Sequence, residues 1–491
     1  MAAPGTSVTS SAISGIGDDG QDLGTWFVAG ITELGPTTVS TGRPIYSLSD
    51  FVAQYGARVP YGTLYDAVDA FFRVGGAQLR VARVVGPAAT FSSLTLNDRA
   101  GSPLPTLTVK PKGPGSYGSR ITVQVLAGSV SGTYVLVIYL DGAPVEQSPD
   151  LSSPTAAVEW SQNTSMWVTI TDAGSTSTAP SNLPALASAT ALSGGSDDRA
   201  SITDAEWSAA LARFGQAFGP GLVSMPGRTT SGAHVQAVNH AAAFNRQALL
   251  DGPADATQLT LSGLAATDRA NATFDEYGAT FAPWLKVPGV ATGTTRVVPP
   301  SSVAAGIISR QVKTGLANVP AAGANGVATW VIDVAQQAFT DIERGLLNDS
   351  GVNIFRRVTA NGDVSLYGYR SLDGTPAWRM LSNQLLRLKL TDEAGAIGEQ
   401  FVFDQLDGRG HTIAAFNAAL AAMLQLHWSA GELFGETAEE AFRVDTGPGV
   451  NTPESLAAGV LRATLSLRMS PFAEFVEIQI VKYPITDSLV N

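Results

Sequence analysis

Cysteine is absent from the 491 residues, so the sequence offers no disulfide framework, no thiol nucleophile and no thiolate metal site. The dipeptide Gly-Lys is also absent, which excludes the phosphate-binding P-loop. The Gly-x-Ser-x-Gly motif of a hydrolase nucleophile elbow does not occur. The nearest match, His427-Trp428-Ser429-Ala430-Gly431, lacks the leading glycine and falls where a helix is expected to end.

Long apolar runs are missing as well. No run approaches the ~18–20 residues that a membrane-spanning helix needs. The first residues, Met1-Ala-Ala-Pro-Gly, lack the charged and apolar regions of a signal peptide. We therefore expect a protein that is made and folded in a cytoplasm and does not insert into a membrane.

Charge is scarce. Only 15% of the residues are charged, against about 25% in ordinary soluble domains, while 44% are hydrophobic. This composition is typical either of a subunit whose surface is largely covered by partners or of a large monomer with an Ala/Gly/Ser/Thr surface. The net charge of −12 argues against nucleic acid as a partner, because binding phosphates requires clustered cations.

The residues that could carry chemistry do not form a recognisable site. The four histidines lie outside any H-E-x-x-H motif, and the pairs Asp275-Glu276 and Glu439-Glu440 are adjacent in sequence and so do not face each other on a helix. Residues 113–118 match G-x-G-x-x-G, but the alternating residues 119–125 that follow predict a strand rather than a phosphate-binding helix. We predict no catalytic, cofactor or metal site.

The C-terminal hundred residues have a clear order of elements. Apolar residues at helical spacing predict a helix that ends at Gly431, and a strand is expected at 441–445. Thr452, Pro453 and Glu454 form a helix start signal. In the final predicted strand, 474–481, one face is apolar and the other polar, and residues 482–491 remain as a tail. The apolar positions of this helix and this strand are Ile413, Phe416, Leu420, Met423, Leu424 and His427, and Val476, Ile478 and Ile480.

Taken in order, these motifs resemble the C-terminal domain of contractile tail sheath proteins, the family of phage tail sheaths and related bacterial injection devices. The matching motifs are Gly431-Glu432-Leu433-Phe434-Gly435, Phe442-Arg443-Val444-Asp445, Asn451-Thr452 and Pro471-Phe472-Ala473-Glu474-Phe475. Further motifs upstream extend the resemblance nearly end to end. They are Phe71-Phe72-Arg73-Val74-Gly75-Gly76, Pro283-Trp284, Pro299-Pro300-Ser301, Ala322-Gly323-Ala324-Asn325 and Gly368-Tyr369-Arg370.

We predict a multi-domain α/β (α+β) fold in which the C-terminal sheath domain is built from both ends of the chain. The expected segments are an N-terminal arm (1–24), the first part of the α/β core (25–87), a β-rich insertion (88–190), a middle α/β domain (191–380), the C-terminal domain (381–481) and a C-terminal arm (482–491). Within them we expect strands at 121–126, 134–140, 158–160 and 167–170, a helix at 64–72 capped by Thr63 with Asp66, and a helix at about 233–249.

The resemblance implies a structural, non-enzymatic subunit without cofactors, which polymerises around an inner tube and contracts to drive that tube through a host envelope. Its implied partners are further copies of itself, the tube protein, and baseplate and tail terminator proteins, in a virion tail assembled in the bacterial cytoplasm. Both arms are expected to add strands to the sheets of neighbours through Val8, Ile13, Val476, Ile478, Ile480, Tyr483, Ile485, Leu489 and Val490. Arg462 and Arg468, on the helix after Asn451-Thr452, are the expected tube contacts.

Three alternatives stay open at this point. A bacterial contractile injection system or a phage-tail-like bacteriocin uses the same fold. Another virion structural protein, such as a tail tube or capsid protein, is disfavoured by the length of the chain. An enzyme acting on polysaccharide requires a carboxylate pair in a cleft.

Overall fold

The computed structural model describes residues 8–9, 13–14, 23–38, 42–314, 317–336, 338–358 and 362–474, with the first two pairs described for their backbone only. The chain divides into two compact units, residues 1–403 and 404–491. Each unit is considered separately below.

The first unit contains three stretches of elements. Up to residue 87 these are β1 (Val8–Thr9), β2 (Ile13–Ser14), β3 (Trp26–Gly30), α1 (Leu48–Tyr55), α2 (Leu64–Arg73) and β4 (Leu79–Arg83). The second stretch comprises β5 (Leu94–Asn97), β6 (Pro105–Pro111), β7 (Ile121–Ala127), β8 (Tyr134–Leu140), β9 (Ala143–Gln147), α3 (Pro154–Asn163), β10 (Val168–Asp172) and β11 (Ala187–Ala191).

The third stretch returns to α/β alternation. Its elements are α4 (Asp204–Leu211), β12 (Gly221–Ser224), α5 (Ser231–Ala243), β13 (Arg246–Asp251), α6 (Gln258–Asn271), β14 (Gly278–Ala282), β15 (Leu285–Pro288), β16 (Thr295–Val298), α7 (Pro300–Val312), β17 (Asp333–Val334), α8 (Asp341–Asp349), β18 (Val352–Arg357), β19 (Val364–Tyr367) and α9 (Leu381–Glu399).

A seven-stranded sheet organises this unit. Its strand order is β19-β18-β14-β13-β12-β3-β4, and every neighbouring pair is parallel except β18 and β19. Strands β3, β12, β13 and β14 are buried along their whole length, as expected for parallel strands covered on both faces, although β13 begins with Arg246 and Gln247 and ends with Asp251. The chain passes from β3 to β4 in one direction across the sheet and from β12 to β13 in the other. Right-handed connections therefore place α2 and α5 on opposite faces of the sheet.

The insertion forms a β-rich body of its own. Two antiparallel sheets, β10-β6-β5 and β11-β7-β8-β9, enclose a cluster of buried side chains that is separate from the core of the large sheet. Helix α3 packs against β10. A further small sheet, β16-β15-β17, lies outside the insertion.

The second unit is small. It contains α10 (His411–Ser429), α11 (Ala438–Ala441), β20 (Phe442–Asp445), α12 (Pro453–Ala457) and β21 (Thr464–Leu467). As predicted, α10 ends before Gly431, whose φ of +80° suits glycine, and Thr452 caps α12 by accepting from the amide of Ser455. Strand β21 pairs antiparallel with β20, which the sequence analysis did not foresee.

Residues 25–87 do not join the C-terminal domain as the sequence analysis expected. Strands β3 and β4 pair with each other, and β3 pairs with β12, so this segment and the middle region share one sheet. The mixed α/β class is confirmed. The expected final strand, residues 474–481, lies beyond the described residues from 475 onward.

Three local predictions were wrong. Residues 158–160 lie in α3 rather than a strand, because Ser153 caps the helix and Ala157 and Trp160 are buried one turn apart. The helix expected at 233–249 ends at Ala243, and Arg246 already begins β13. Thr63 does not cap α2, since its hydroxyl donates to the carbonyl of Pro226 instead.

Candidate functional site

Three of the four histidines are buried and contact other side chains of the fold. His234 contacts Asp268, His240 accepts from Arg246, and His427 contacts Glu432, and all three rings are buried. Among the described residues, no group of three metal-binding side chains comes together. No helix in that part of the chain is long and apolar enough to cross a bilayer.

The carboxyl edge of the large sheet is where an open α/β fold binds a ligand, at the point where the strand order reverses. Here that point lies between β3 and β12, and side chains fill it. The hydroxyl of Thr63 donates to the carbonyl of Pro226 at 2.9 Å. Leu64 packs so closely on Gly30 that a Cβ there would lie 2.8 Å from its Cδ2. The start of α2 therefore occupies the position where an open α/β fold would bind a small molecule.

At the same edge, a buried arginine fastens the β-rich insertion to the sheet. Arg83, the last residue of β4, is 1% exposed and donates to the carbonyls of Gly35 and Pro114. Its guanidinium also donates to Asp197 Oδ1 at 2.8 Å. Burial lowers the pKa of this guanidinium, while nearby Tyr117 and Asp197 act in the opposite direction. This buried cation is stabilised by hydrogen bonds from its Nη1 and Nη2 groups to three acceptors, whereas its buried Nε has no hydrogen-bond partner among the described residues.

Asp197 is the second half of this joint. Besides Arg83, its carboxylate accepts from the amide and hydroxyl of Ser116 and from Arg199. Its backbone carbonyl accepts from Gly86 at 2.9 Å, so the outgoing and returning connections of the insertion touch each other. The connections also pair at Thr90 with Ser196 and at Ser93 with Ser193. The insertion is thus tied to the sheet by its own two connections and one buried ion pair.

The second unit has few buried apolar side chains. Among its described residues these are Leu420, Met423, Leu424, Leu433 and Ala441. None of the described residues of this unit belongs to either of the two large hydrophobic clusters. Its sheet, as far as the structure describes it, consists of β20 and β21 alone. Two-stranded sheets are marginal in water, so the part of this unit that the structure describes gains stability from any strand that adds to its sheet.

The expected arm residues fall in two places. Val8 and Ile13 lie in β1 and β2, which pair antiparallel as a short hairpin near α9 of the same chain. Val476, Ile478, Ile480, Tyr483, Ile485, Leu489 and Val490 lie outside the described residues.

Arg462 and Arg468 do not lie on a helix, contrary to expectation. Helix α12 ends at Ala457, and the amide of Asn451 bonds the backbone of Arg462 in an extended segment. Both arginines are exposed, and their even-numbered spacing along residues 462–468 places them on the same face of that segment. The alternation in Thr464-Leu465-Ser466-Leu467 could have revealed this strand.

No protein-family model matches the chain, and no curated protein matches it in sequence. Solved structures do match. The sheath tail protein of Listeria innocua superimposes with a TM-score of 0.60 at 12% identity, covering 88% of this chain and 90% of that one.

Two injection-system sheaths match over still more of the chain. The sheath of the extracellular contractile injection system PVC, in the contracted state, gives a TM-score of 0.55 at 16% identity and covers 98% of both chains. The contracted helical sheath of the anti-feeding prophage gives 0.54 at 17% identity, covering 98% of this chain and 96% of that chain.

The chain has the contractile tail sheath fold. The resemblance seen in the sequence is confirmed at the level of the fold, and it includes both compact units. Arg83 and Asp197 were missed by the sequence analysis because they are 114 residues apart and each alone resembles a surface charge.

Proposed function

We propose that this protein is the structural subunit of a contractile sheath, which polymerises around an inner tube and contracts to drive that tube through a cell envelope. The observation that carries the proposal is the likeness to sheath structures over 98% of the chain. The filled crevice at the carboxyl edge of the sheet agrees with a role without a small-molecule substrate.

The thin second unit supports assembly by strand exchange. A sheet of two strands gains stability when further strands add to its edges, and backbone hydrogen bonds supply the affinity. Residues 475–491 follow directly after the described part of this unit, and their apolar side chains include Val476, Ile478, Ile480, Tyr483, Ile485, Leu489 and Val490. We propose that this tail, together with the N-terminal arm carrying Val8 and Ile13, completes sheets of neighbouring copies.

Contraction in this proposal needs no nucleotide. Ordering an arm costs roughly 1–2 kcal/mol per residue, which only a waiting sheet edge and apolar pockets offset. If subunits gain roughly 100 Å² of apolar burial when they rotate, each gains about 2.5 kcal/mol. A polymer sums this gain over its copies, so an extended sheath can store the free energy that contraction releases.

We further propose that Arg462 and Arg468 face the tube, where their guanidinium groups pair with carboxylates of the tube protein. Their exposure and shared face on the 462–468 segment support this role. Baseplate and tail terminator proteins are the remaining proposed partners, in a tail assembled in a bacterial cytoplasm. The solved relatives include both a sheath tail protein and injection-system sheaths, so neighbouring genes would distinguish a phage tail from an injection device.

Electron microscopy of truncated subunits tests the proposal. We expect the full chain to form long hollow tubes, and chains lacking residues 1–20 or 475–491 to stay as folded single subunits. Circular dichroism of each truncated chain checks that the first unit is still folded. Tubes that form equally well without both segments would refute strand exchange, and a full chain that forms no tubes with its tube protein would refute the sheath role.

A further inference from the structure

The most exposed aliphatic side chains of the described residues lie on three helices. Ile342 of α8 is 79% exposed, Leu259 of α6 is 78% exposed and Leu426 of α10 is 72% exposed. Single exposed apolar side chains are common on protein surfaces. They indicate an interface where their neighbours extend them into a continuous surface that lacks charge.

Leu259 and Ile342 belong to one apolar ridge of the first unit. Helix α6 leads into β14 and α8 leads into β18, and these strands are parallel, so the two packed helices run in the same direction. The hydroxyl of Ser350, just after α8, donates to the hydroxyl of Ser262 on α6 at 2.9 Å. Leu259 and the exposed Leu346 each lie about one turn before this contact, and Ile342 lies one turn before Leu346. We call these three side chains the α6–α8 ridge.

The surface beside this ridge carries almost no charge. In residues 229–274, all of which the structure describes, the side chain of Asp255 is the one exposed charged group. The other charged side chains of this stretch are buried or donate to carbonyl oxygens of the chain itself, and they are Arg246, Asp251, Asp268 and Arg269. At the edge of the ridge, Asp341 pairs with Arg344. Depletion of charge is typical of the core of a protein–protein interface.

Helix α10 of the second unit has an exposed face of the same kind. Residues 411–429 contain no Asp, Glu, Lys or Arg. Ala414, Ala418, Ala422 and Leu426 follow one another at intervals of four residues and are all exposed, so they form a single stripe along the helix. The distance between packed helices depends on the side chains at the contact, so alanines allow a partner helix to come close.

We propose that the α6–α8 ridge is covered, in the assembled sheath, by the exposed stripe of α10 from a second copy of the chain. The inference rests on the proposed polymerisation and adds a contact that does not involve the arms. A helical polymer needs a heterologous interface, in which two different surfaces meet, and these two faces form such a pair. Each copy has a net charge of −12, so a contact without charge avoids the repulsion that charged faces would add.

Cysteine cross-linking tests this contact directly, because the chain has no cysteine of its own. Gly263→Cys places a thiol one turn after Leu259, where an added side chain meets open space, and Ala418→Cys places a thiol on α10. We expect a short bismaleimide to join the two variants when they are mixed and assembled into tubes. Thr155→Cys, exposed on α3, replaces Ala418→Cys in the control mixture and should not be joined.

The cross-linking result has two outcomes that would overturn the proposal. One is an equal yield of linked chains in the test and control mixtures. The other is attachment of Gly263→Cys to the tube protein in place of a second copy, which would identify a different occupant of the ridge.

A charge placed on the ridge gives an independent readout. Leu259→Asp should leave the folding of the subunit unchanged, since this side chain is exposed. It should raise the protein concentration needed for tube formation by about tenfold or more, because assembly would bury an unpaired carboxylate. Val290→Asp is the matched control, since Val290 is 66% exposed in the loop between β15 and β16 and should not affect assembly.

The wild type separates the failure of this contact from the failure of the sheath role. Tubes that form equally well from the wild type and from Leu259→Asp would overturn the contact and leave the sheath role standing. A wild type that forms no tubes with its tube protein would refute the sheath role and the contact together. Circular dichroism and urea denaturation of each variant check that the subunit is folded.

Discussion

The two compact units differ in how their stability is supplied. The first unit encloses a large cluster of buried side chains around the seven-stranded sheet, and some of its buried cations form hydrogen bonds through all of their guanidinium nitrogens. Arg246 is one example. It donates to the carbonyls of Phe214, Gly215 and Gly219 and to His240, and it lies 4.0 Å above the ring of Phe27. The second unit, as described, has a handful of buried apolar residues beneath two strands.

This difference indicates a division of labour. A unit with a complete core can fold before assembly and keep its shape during it. If neighbouring copies complete the sheet of the second unit, as we propose, the folding of that unit is coupled to association. Substitutions in the first unit should therefore lower the stability of the isolated subunit, whereas substitutions on the surface of the second should affect assembly.

The largest expected effect is at the joint of the first unit. Asp197→Ala leaves Arg83 buried without its carboxylate, and breaking a buried ion pair in this way costs about 3–5 kcal/mol. Urea denaturation of the isolated subunit measures this cost. Asp141→Ala is the matched control, because Asp141 pairs with Arg120 at the surface and should matter little. Equal effects of the two substitutions would contradict the importance of the joint.

A pair of phenylalanine truncations compares the two units directly. Phe281 in β14 is fully buried, so Phe281→Ala should cost about 3–5 kcal/mol of the free energy of unfolding. Phe434 in the second unit is 57% exposed, so Phe434→Ala should leave the isolated subunit nearly unchanged. If a neighbouring copy covers Phe434, the same substitution reduces tube formation. Loss of subunit stability in Phe434→Ala would show that the second unit has a fuller core than described.

Acid should weaken the first unit through His240. Burial and the guanidinium of Arg246 lower the pKa of this ring to about 3, so the fold binds it in the neutral form. The resulting stability is complete above about pH 6.5, where the unfolded ring is also neutral, and is lost as the pH falls toward 3. Unfolding of the wild type takes up one more proton in this range than unfolding of His240→Gln. The urea midpoint should therefore fall further between pH 7 and pH 5 in the wild type than in the variant. An unchanged difference in the variant would locate the acid sensitivity elsewhere.

The smallest effect is expected at a helix cap of the second unit. Thr452 accepts from the amide of Ser455, and Thr452→Ala should destabilise this unit by about 1 kcal/mol. Limited proteolysis of residues 404–474 measures local opening. Thr437→Ala is the control within the same unit, since Thr437 makes no side-chain cap bond. If the two variants open equally, the cap does not stabilise the unit.

Local signals explain which parts of the fold the sequence revealed. Strand β3 was predictable because a parallel strand buried on both faces is typically apolar throughout, as in Trp26-Phe27-Val28-Ala29-Gly30, whereas the polar start of β13 at Arg246-Gln247 concealed that strand. The start of α12 was predictable because Thr452 and Pro453 suit adjacent positions of a helix N-terminus. Helix α1 was missed, although Ser47 with Asp50 three residues later is a recognisable start.

Long-range partners explain what the sequence concealed. Thr63 has the sequence of a cap, but a carbonyl 163 residues away takes its hydroxyl. Residues 158–160, with two apolar side chains around Glu159, fit a strand or a helix until α3 is seen to pack on β10. The joint of Arg83 and Asp197, and the buried position of His234, depend on the same kind of distant contact.

The two connections of the β-rich insertion contact each other, which makes the insertion easy to exchange for another domain. Gly86 and Asp197 are hydrogen-bonded, so the chain leaves the sheet and comes back at nearly one point. A short turn could replace everything between them without moving β4 or α4, and a different domain could be spliced into the same place. The sheet then serves as a fixed frame, on which evolution or an engineer can exchange the inserted domain while the strands beneath it stay the same.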